Sequence, residues 1–335
     1  MESLKHRIYL ILYSLSILIL LIAVAYFNPL GNPNPSLSTS SPEIHVTVIV
    51  SKDFGSTAIL NESLVVERGT TALDALRIVS KVETSYGGLF VTSINDFKRR
   101  EVNGVQVDWF YYINGLLAPV GAADYTLHDG DIERWDLHPW ASLPAASAII
   151  GDFPEPFLHG YDGDKDPTII IFSSDFRSEA EGLAEELSKF GVEAGLKAME
   201  TISPDDETLG ENNLIVIGYF TDDLPSELNR IYDRLGYYAH YDDGSVHALD
   251  WKGDVSRSFT GDVSMIQASK NPWSREGTSA THKVVWLIAG KSTESIRFAV
   301  NALVKGEALN LHGLLIVDGE CKPLPLQEGM SEDER

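Results

Sequence analysis

Three aspartates at alternate positions, Asp162, Asp164 and Asp166, have the most metal-like spacing in the chain. Closely spaced carboxylates suit calcium, a hard cation that takes oxygen ligands. The run departs from an EF-hand loop, because Pro167 stands at position six and Ser173 at position twelve, where a sharp-turn glycine and a bidentate glutamate are required. A solvated acidic linker is the better reading and a structural calcium the alternative. The second chemical group is aromatic. Trp109-Phe110-Tyr111-Tyr112-Ile113 precedes Asn114-Gly115, and strand alternation sets Trp109, Tyr111 and Ile113 on one face with Phe110 and Tyr112 on the other. Trp109, Tyr111, Tyr112, Asn114 and Trp135 are the candidate residues for an aromatic platform that takes a flat or sugar-like ligand. The competing reading is cross-strand packing in a core.

Catalytic signals are sparse. Ser173-Ser174-Asp175 and Tyr219-Phe220-Thr221-Asp222-Asp223 follow apolar runs, but neither carries a glycine-rich phosphate loop and no G-x-S-x-G is present. Helix capping is the first reading of Ser174, Asp175, Asp222 and Asp223. A hydrolase built on Ser174 and nearby acids requires a histidine brought within reach by the fold. Asp129 and Asp131 read as turn formers. The nine histidines are dispersed, and His240 with His247 lacks zinc-ligand spacing. Cys321 is the only cysteine, which excludes an intramolecular disulfide and a cysteine-rich metal site.

These residues must be positioned by two kinds of segment. From Ile44 to Val50, alternating β-branched residues predict a strand, with Ser63 to Glu67 as its hairpin partner. Thr70 or Thr71 caps a helix over 72–79 in which Leu73, Leu76 and Val79 share a face. Strands are expected at 90–94, 108–113 and 132–137. One helix across a small mixed sheet is a β-grasp arrangement. Beyond 168 the pattern changes. Continuous apolar runs at 168–172 and 213–218 predict strands covered on both faces. They alternate with helices at 179–190, 224–235 and 293–303, and further strands follow at 192–199, 263–268 and 284–289. Residues 237–251 read as an inserted hairpin. The expectation for 168–320 is an acidic α/β domain, a Rossmann-like or flavodoxin-like sandwich, with 141–167 as linker and 321–335 as a polar tail.

Ile8 to Phe27 carries no charge and as a helix would span about 30 Å, the thickness of a bilayer core. Lys5 and Arg7 precede it, so residues 1–7 are expected in the cytoplasm and the bulk of the chain outside. Ala23-Val24-Ala25 offers the alternative of a cleaved signal and a secreted chain. Residues 28–43, rich in Pro, Ser and Asn, form a tether, and Asn61-Glu62-Ser63 is a glycosylation sequon. Lys and Arg number 26 against 49 Asp and Glu, for a formal net charge of −23. That balance opposes unassisted binding to nucleic acid.

Thr71-Ala72-Leu73-Asp74-Ala75-Leu76, Gly87-Gly88 before Phe90-Val91, Trp109 to Gly115, Gly121-Ala122, Tyr125-Thr126-Leu127 and Asp129-Gly130-Asp131 with Trp135 occur in that order. This series resembles the transcobalamin C-terminal-like domain of unknown function, over residues 44–140. The resemblance implies an exported, non-catalytic β-grasp module, related to soluble-ligand-binding domains, that holds a small ligand or partner. In transcobalamins such a domain closes over a corrinoid held by a separate helical barrel, and nothing in this sequence looks like that barrel. Gln267 to Gly290, with its Asn271-Pro272-Trp273 turn, is similar to a segment of archaeal S-layer-type surface proteins. The expectation is a single-pass membrane protein facing outward, which binds a small ligand or envelope protein without catalysis. An extracytoplasmic hydrolase and a corrinoid- or metal-capture protein are the alternatives.

Overall fold

The hydrophobic alternation that begins at Ile44 is realised as β1 (Glu43–Lys52), which buries Ile44, Val46, Val48 and Val50. The computed structural model describes residues 42–102, 104–139, 146–203 and 206–327. The apolar run at 8–27 expected to span a membrane therefore lies outside the described residues, as does most of the tether. Among the described residues no helix is long and apolar enough to cross a membrane.

A turn joins β1 to β2 (Thr57–Glu67), its antiparallel partner. The Thr71 hydroxyl accepts from the Asp74 N–H at 3.2 Å and opens α1 (Ala72–Val79), whose Ala72, Leu73, Ala75 and Leu76 are buried. Next come β3 (Val82–Ser85), β4 (Phe90–Ile94) and β5 (Phe97–Lys98), a small antiparallel sheet. They are followed by β6 (Arg100–Val102), β7 (Val105–Ile113), β8 (Leu116–Leu117) and β9 (Ile132–Pro139). Asn114 and Gly115, at φ 51° and 75°, supply the left-handed pair that the tight β7–β8 turn needs. The first sheet runs β2-β1-β9-β7-β6, with β8 on β7. Its central strand, β9, is parallel to β1 and antiparallel to β7.

The second layer begins with β10 (Thr168–Phe172), α2 (Arg177–Lys189) and β11 (Ala194–Ala198). It continues through α3 (Glu207–Glu211), β12 (Asn213–Tyr219), α4 (Asp223–Arg230) and α5 (Tyr232–Leu235). The single helix expected over 224–235 is broken at Ile231. Just before that break, Asn229 exchanges two 2.7 Å hydrogen bonds with the Tyr241 backbone and draws the chain toward the next strand. That strand, β13 (Ala239–Asp242), joins β14 (Ser245–Leu249) and β15 (Val255–Phe259) in a three-stranded antiparallel sheet, where a two-stranded hairpin was expected. The chain closes with β16 (Val263–Lys270), β17 (Val284–Gly290), α6 (Thr293–Val304), β18 (Gly313–Val317) and β19 (Glu320–Leu324). The seven strands are ordered β11-β10-β12-β17-β16-β18-β19. The first four are parallel, and β16, β18 and β19 pair antiparallel. The architecture is mixed α and β, mostly sheet.

Both faces of the second sheet are covered, which explains its unbroken apolar runs. Ile170, Ile215, Ile217, Trp286 and Ile288 pack under α2 and α6. Ile171, Leu214, Val216, Leu287 and Ala289 face α4, α5 and β13–β15, together with Phe54 and Tyr112 of the first sheet. The two sheets therefore share cores, and the described residues from Pro42 onward form one compact unit. The 146–160 stretch, read as linker, carries buried Ile149, Ile150 and Phe157.

Contact between the sheets is backbone-close at the loop before β18. A Cβ on Gly55, in the β1–β2 turn, would lie 1.6 Å from the Asn310 carbonyl oxygen, and one on Gly151 would lie 2.4 Å from its carbonyl carbon. Arg134 of β9 is fully buried behind this loop. Its Nε donates to Asp152 Oδ1 at 2.8 Å and its Nη2 to Asp152 Oδ1 and Asn310 Oδ1. Removing one partner of a buried ion pair leaves an uncompensated charge. Asp152→Ala should therefore lower unfolding stability by about 3–5 kcal/mol in urea titrations, while Arg134→Met with Asp152→Leu should recover most of that loss. A loss under ~1 kcal/mol for the single variant would show the pair to be dispensable.

Candidate functional site

Strand β9 (IERWDLHP) turns alternate side chains to opposite faces, and the fold covers both sets. Glu133, Trp135 and Leu137 share the core face with Trp109, Tyr111 and Ile113 of β7, where Tyr111 and Trp135 stack at 4.9 Å. Arg134, Asp136 and His138 point the other way, toward the second sheet, with Phe110 and Tyr112. The His138 ring stacks between Phe110, at 3.9 Å, and Phe54, at 4.2 Å.

Asp136 is the hub of this layer. Ser51 Oγ and the Gly55 N–H donate to its Oδ2 at 2.6 and 2.8 Å. The Phe54 N–H reaches Oδ1 at 3.0 Å, and His138 Nδ1 lies 2.6 Å from the same oxygen. Phe54 adopts φ 57° in the turn, a left-handed conformation uncommon for a bulky residue, and this aims its amide at the carboxylate. Burial alone would push Asp136 up, but hydrogen bonding to His138 and Ser51, with the electrostatic attraction of the His138 and His312 rings, outweighs it and holds Asp136 well below the usual carboxylate range. An ionised carboxylate only accepts, so His138 carries its proton on Nδ1. His312, from the loop before β18, meets the His138 ring edge-on at 5.2 Å and the Phe54 ring at 5.3 Å. Neither of its ring nitrogens has a hydrogen-bond partner among the described residues. Burial pushes its pKa down to about 3 against the attraction of Asp136. Asp136, His138 and His312 each offer a ligand atom, all within 4.8 Å of one another.

The second site lies at the C-terminal ends of the parallel strands. The chain leaves β10 for β11 on one side and returns to β12 on the other, and α/β sheets form their ligand crevices at such reversals. A cleft of about 190 Å³ opens there, lined by Ser173, Met199, Glu200, Thr221, Asp222 and Asp223. Thr221 also borders a cleft of about 120 Å³ formed with Tyr219, Phe220, Tyr241, Gly290 and Lys291. Phe220 and Tyr241 stack at 4.9 Å. The Ser173 hydroxyl donates to Asp222, whose Oδ2 also accepts from the Tyr219 N–H at 2.7 Å. Glu200 accepts from the Ser174 N–H at 2.9 Å, which holds its carboxyl below the usual range. No histidine hydrogen-bonds to Ser173 or Ser174 among the described residues.

The residues singled out in the sequence fall elsewhere. Trp109, Tyr111, Tyr112, Asn114 and Trp135 are all buried, at 0 to 8% exposure, so they present no surface platform. Asn114 is fully engaged, donating to Asp131 and the Gly160 carbonyl at 2.8 Å and accepting from the Ile132 N–H. Asp162 and Asp164 are exposed, and Asp166 pairs with Lys283 at 3.3 Å. Among the described residues the group positioned for a metal is Asp136, His138 and His312. Sequence reading missed this group because charges alternating along a strand resemble a solvated face. The available signal was His312 at the head of the apolar run Gly313 to Val317, a polar residue entering a buried strand.

Residues 69–138 match the model of a family described as Domain of unknown function (DUF4430). The matched residues lie inside the 44–140 segment that resembles the transcobalamin C-terminal-like domain. None of the curated proteins matches the chain. Among solved structures, the chain is similar to a protein from Ruminococcus gnavus ATCC 29149 to which metal binding is ascribed, at 19% identity and a TM-score of 0.23, covering 29% of this chain and 99% of that one. It is also similar, at 19% identity and a TM-score of 0.24, to haptocorrin in complex with Cbi, covering 28% of this chain and 25% of the haptocorrin chain. The chain thus spans a quarter of haptocorrin's length.

The core face of β9 also sets a pH dependence. Glu133 is fully buried, its Oε1 accepts from Trp135 Nε1 at 2.6 Å, and its Oε2 has no partner among the described residues. Burial raises its pKa well above the ordinary value. It folds protonated but ionises in the unfolded chain above about pH 4.5, so stability falls as pH rises, by up to about 1.4 kcal/mol per unit. Asp136 acts oppositely, with stability present above the ordinary carboxylate pKa and lost as pH falls through its lowered one. Glu133→Gln is expected to flatten the stability profile above pH 5 while leaving the acid limb intact, as read by urea midpoints across pH.

Proposed function

We propose that the protein is a membrane-anchored, outward-facing binding protein, without catalysis, that takes a small hydroxyl-rich or amine-bearing ligand in the crevice between β10 and β12. The observation that carries this reading is the pair of adjoining clefts at the strand ends. Their walls suit that chemistry. Glu200, Asp222 and Asp223 supply acceptors and negative charge, while stacked Phe220 and Tyr241 supply an apolar floor. The strand order β11-β10-β12-β17 supports a Rossmann-like reading of this layer, in which such crevices hold ligands. The anchor rests on the uncharged run at 8–27 and the basic residues before it. Neither cleft has the volume for a corrinoid, which is larger than the drug-sized ligands that fill roughly 300–1,000 Å³ pockets. The hydrolase alternative, built on Ser174 and nearby acids, gains no support, because no histidine hydrogen-bonds to Ser174 among the described residues, and the Ser174 N–H donates to Glu200.

Asp223 lines the cleft at the first turn of α4. Calorimetric titration of the full-length protein with amino sugars, monosaccharides and polyamines should find one class that binds, and Asp223→Asn should weaken it about tenfold, or ~1.4 kcal/mol. If no class binds at millimolar concentration, the binding reading fails. Protease added to intact cells should degrade the chain beyond residue 43, and protection of that portion would overturn the topology.

A further inference from the structure

We infer that His138 and His312, backed by Asp136, form a buried site for one late first-row transition-metal ion that clips the two sheets together. The donor set comes first. Hydrogen bonding to Asp136 fixes the His138 proton on Nδ1 and leaves the lone pair on Nε2. His312 brings two ring nitrogens with no hydrogen-bond partner among the described residues, in a side chain only 4% exposed. An imidazole buried without partners is costly, and coordination of an ion would use its lone pair.

The surroundings agree. A carboxylate behind a histidine Nδ1–H orients the ring and strengthens it as a ligand. All four acceptor positions of Asp136 are already occupied, by Ser51, Phe54, Gly55 and His138, so its part is to hold His138 and supply negative charge. Arg134, the nearby cation, is neutralised by Asp152. The rings of Phe54, Phe110 and Tyr112 line the site, and two imidazoles in an apolar shell suit zinc or copper rather than calcium or magnesium, which require oxygen ligands. Two nitrogens alone satisfy Cu⁺, whereas Zn²⁺ would require Asp136 to turn from His138 to the ion. One ligand belongs to β9 and the other to the loop before β18, so the ion would join elements 174 positions apart.

Because the site is enclosed, loading is tested during refolding. Full-length protein refolded from denaturant with Zn²⁺, or anaerobically with Cu⁺, is desalted, its metal content measured by mass spectrometry and its melting temperature recorded. The expected result is about one equivalent of one ion per chain and a melting temperature several degrees above that of metal-free protein. His312→Phe keeps the volume and removes the donor. It should lose the metal and the metal-dependent rise while its metal-free melting temperature matches or exceeds that of wild type. If that variant does not fold, X-ray absorption of the loaded wild type decides, with imidazole nitrogen scatterers expected. Less than ~0.1 equivalent of either ion on wild type, full loading of His312→Phe, or a first shell without imidazole would each overturn the inference.

Discussion

The structure depends on a row of charges sealed inside it. Arg134, Asp136 and His138 project from the central strand of the first sheet into the second layer, where ionic groups persist only when paired and hydrogen-bonded. Each finds its partner off its own strand or along the same face. Arg134 takes Asp152 and Asn310, and Asp136 takes Ser51, two turn amides and His138. Separating the sheets would strip Asn310 from Arg134 and open the whole row to water. The glycines at 55 and 151 let the Asn310 loop approach closely enough for that satisfaction, since any side chain there would hold the layers apart.

The strand ends of the second sheet carry a site of another kind. There the walls are polar and partly exposed, and three carboxylates, Glu200, Asp222 and Asp223, line a cleft. The two sites differ in kind. The layer of His138 and His312 is enclosed and ringed by aromatics, which suits a resident ion, while the crevice between β10 and β12 is open to exchange with solvent. A ligand in the crevice would meet groups held by α4 and by β12, both packed on a sheet covered on each face.

Much of the element pattern was legible. The period-2 run at 44–50, the Thr71 cap, the Asn114-Gly115 turn and the apolar strands at 168–172 and 213–218 all depend on neighbours in sequence, and all appear. Errors arose where distant contacts took over. Cys321 to Leu324, the start of the stretch read as a polar tail, lie in β19, which pairs along the edge that β18 presents. The aromatic strand was correctly placed and its faces correctly divided. What alternation cannot say is what covers each face, so a platform and a core looked alike until the second layer was seen lying on Tyr112.

By itself the sequence determined the local grammar of this protein: where most strands and helices form, where turns fall, and a formal net charge of −23. Only the tertiary structure decided that His138 and His312 meet, and that Ser173 faces Asp222 rather than a histidine. The physical reason is one of range. Backbone propensity and side-chain period act over a few residues, whereas burial, which determines whether a charged residue is solvated or locked in place, depends on surfaces brought together from opposite ends of the chain.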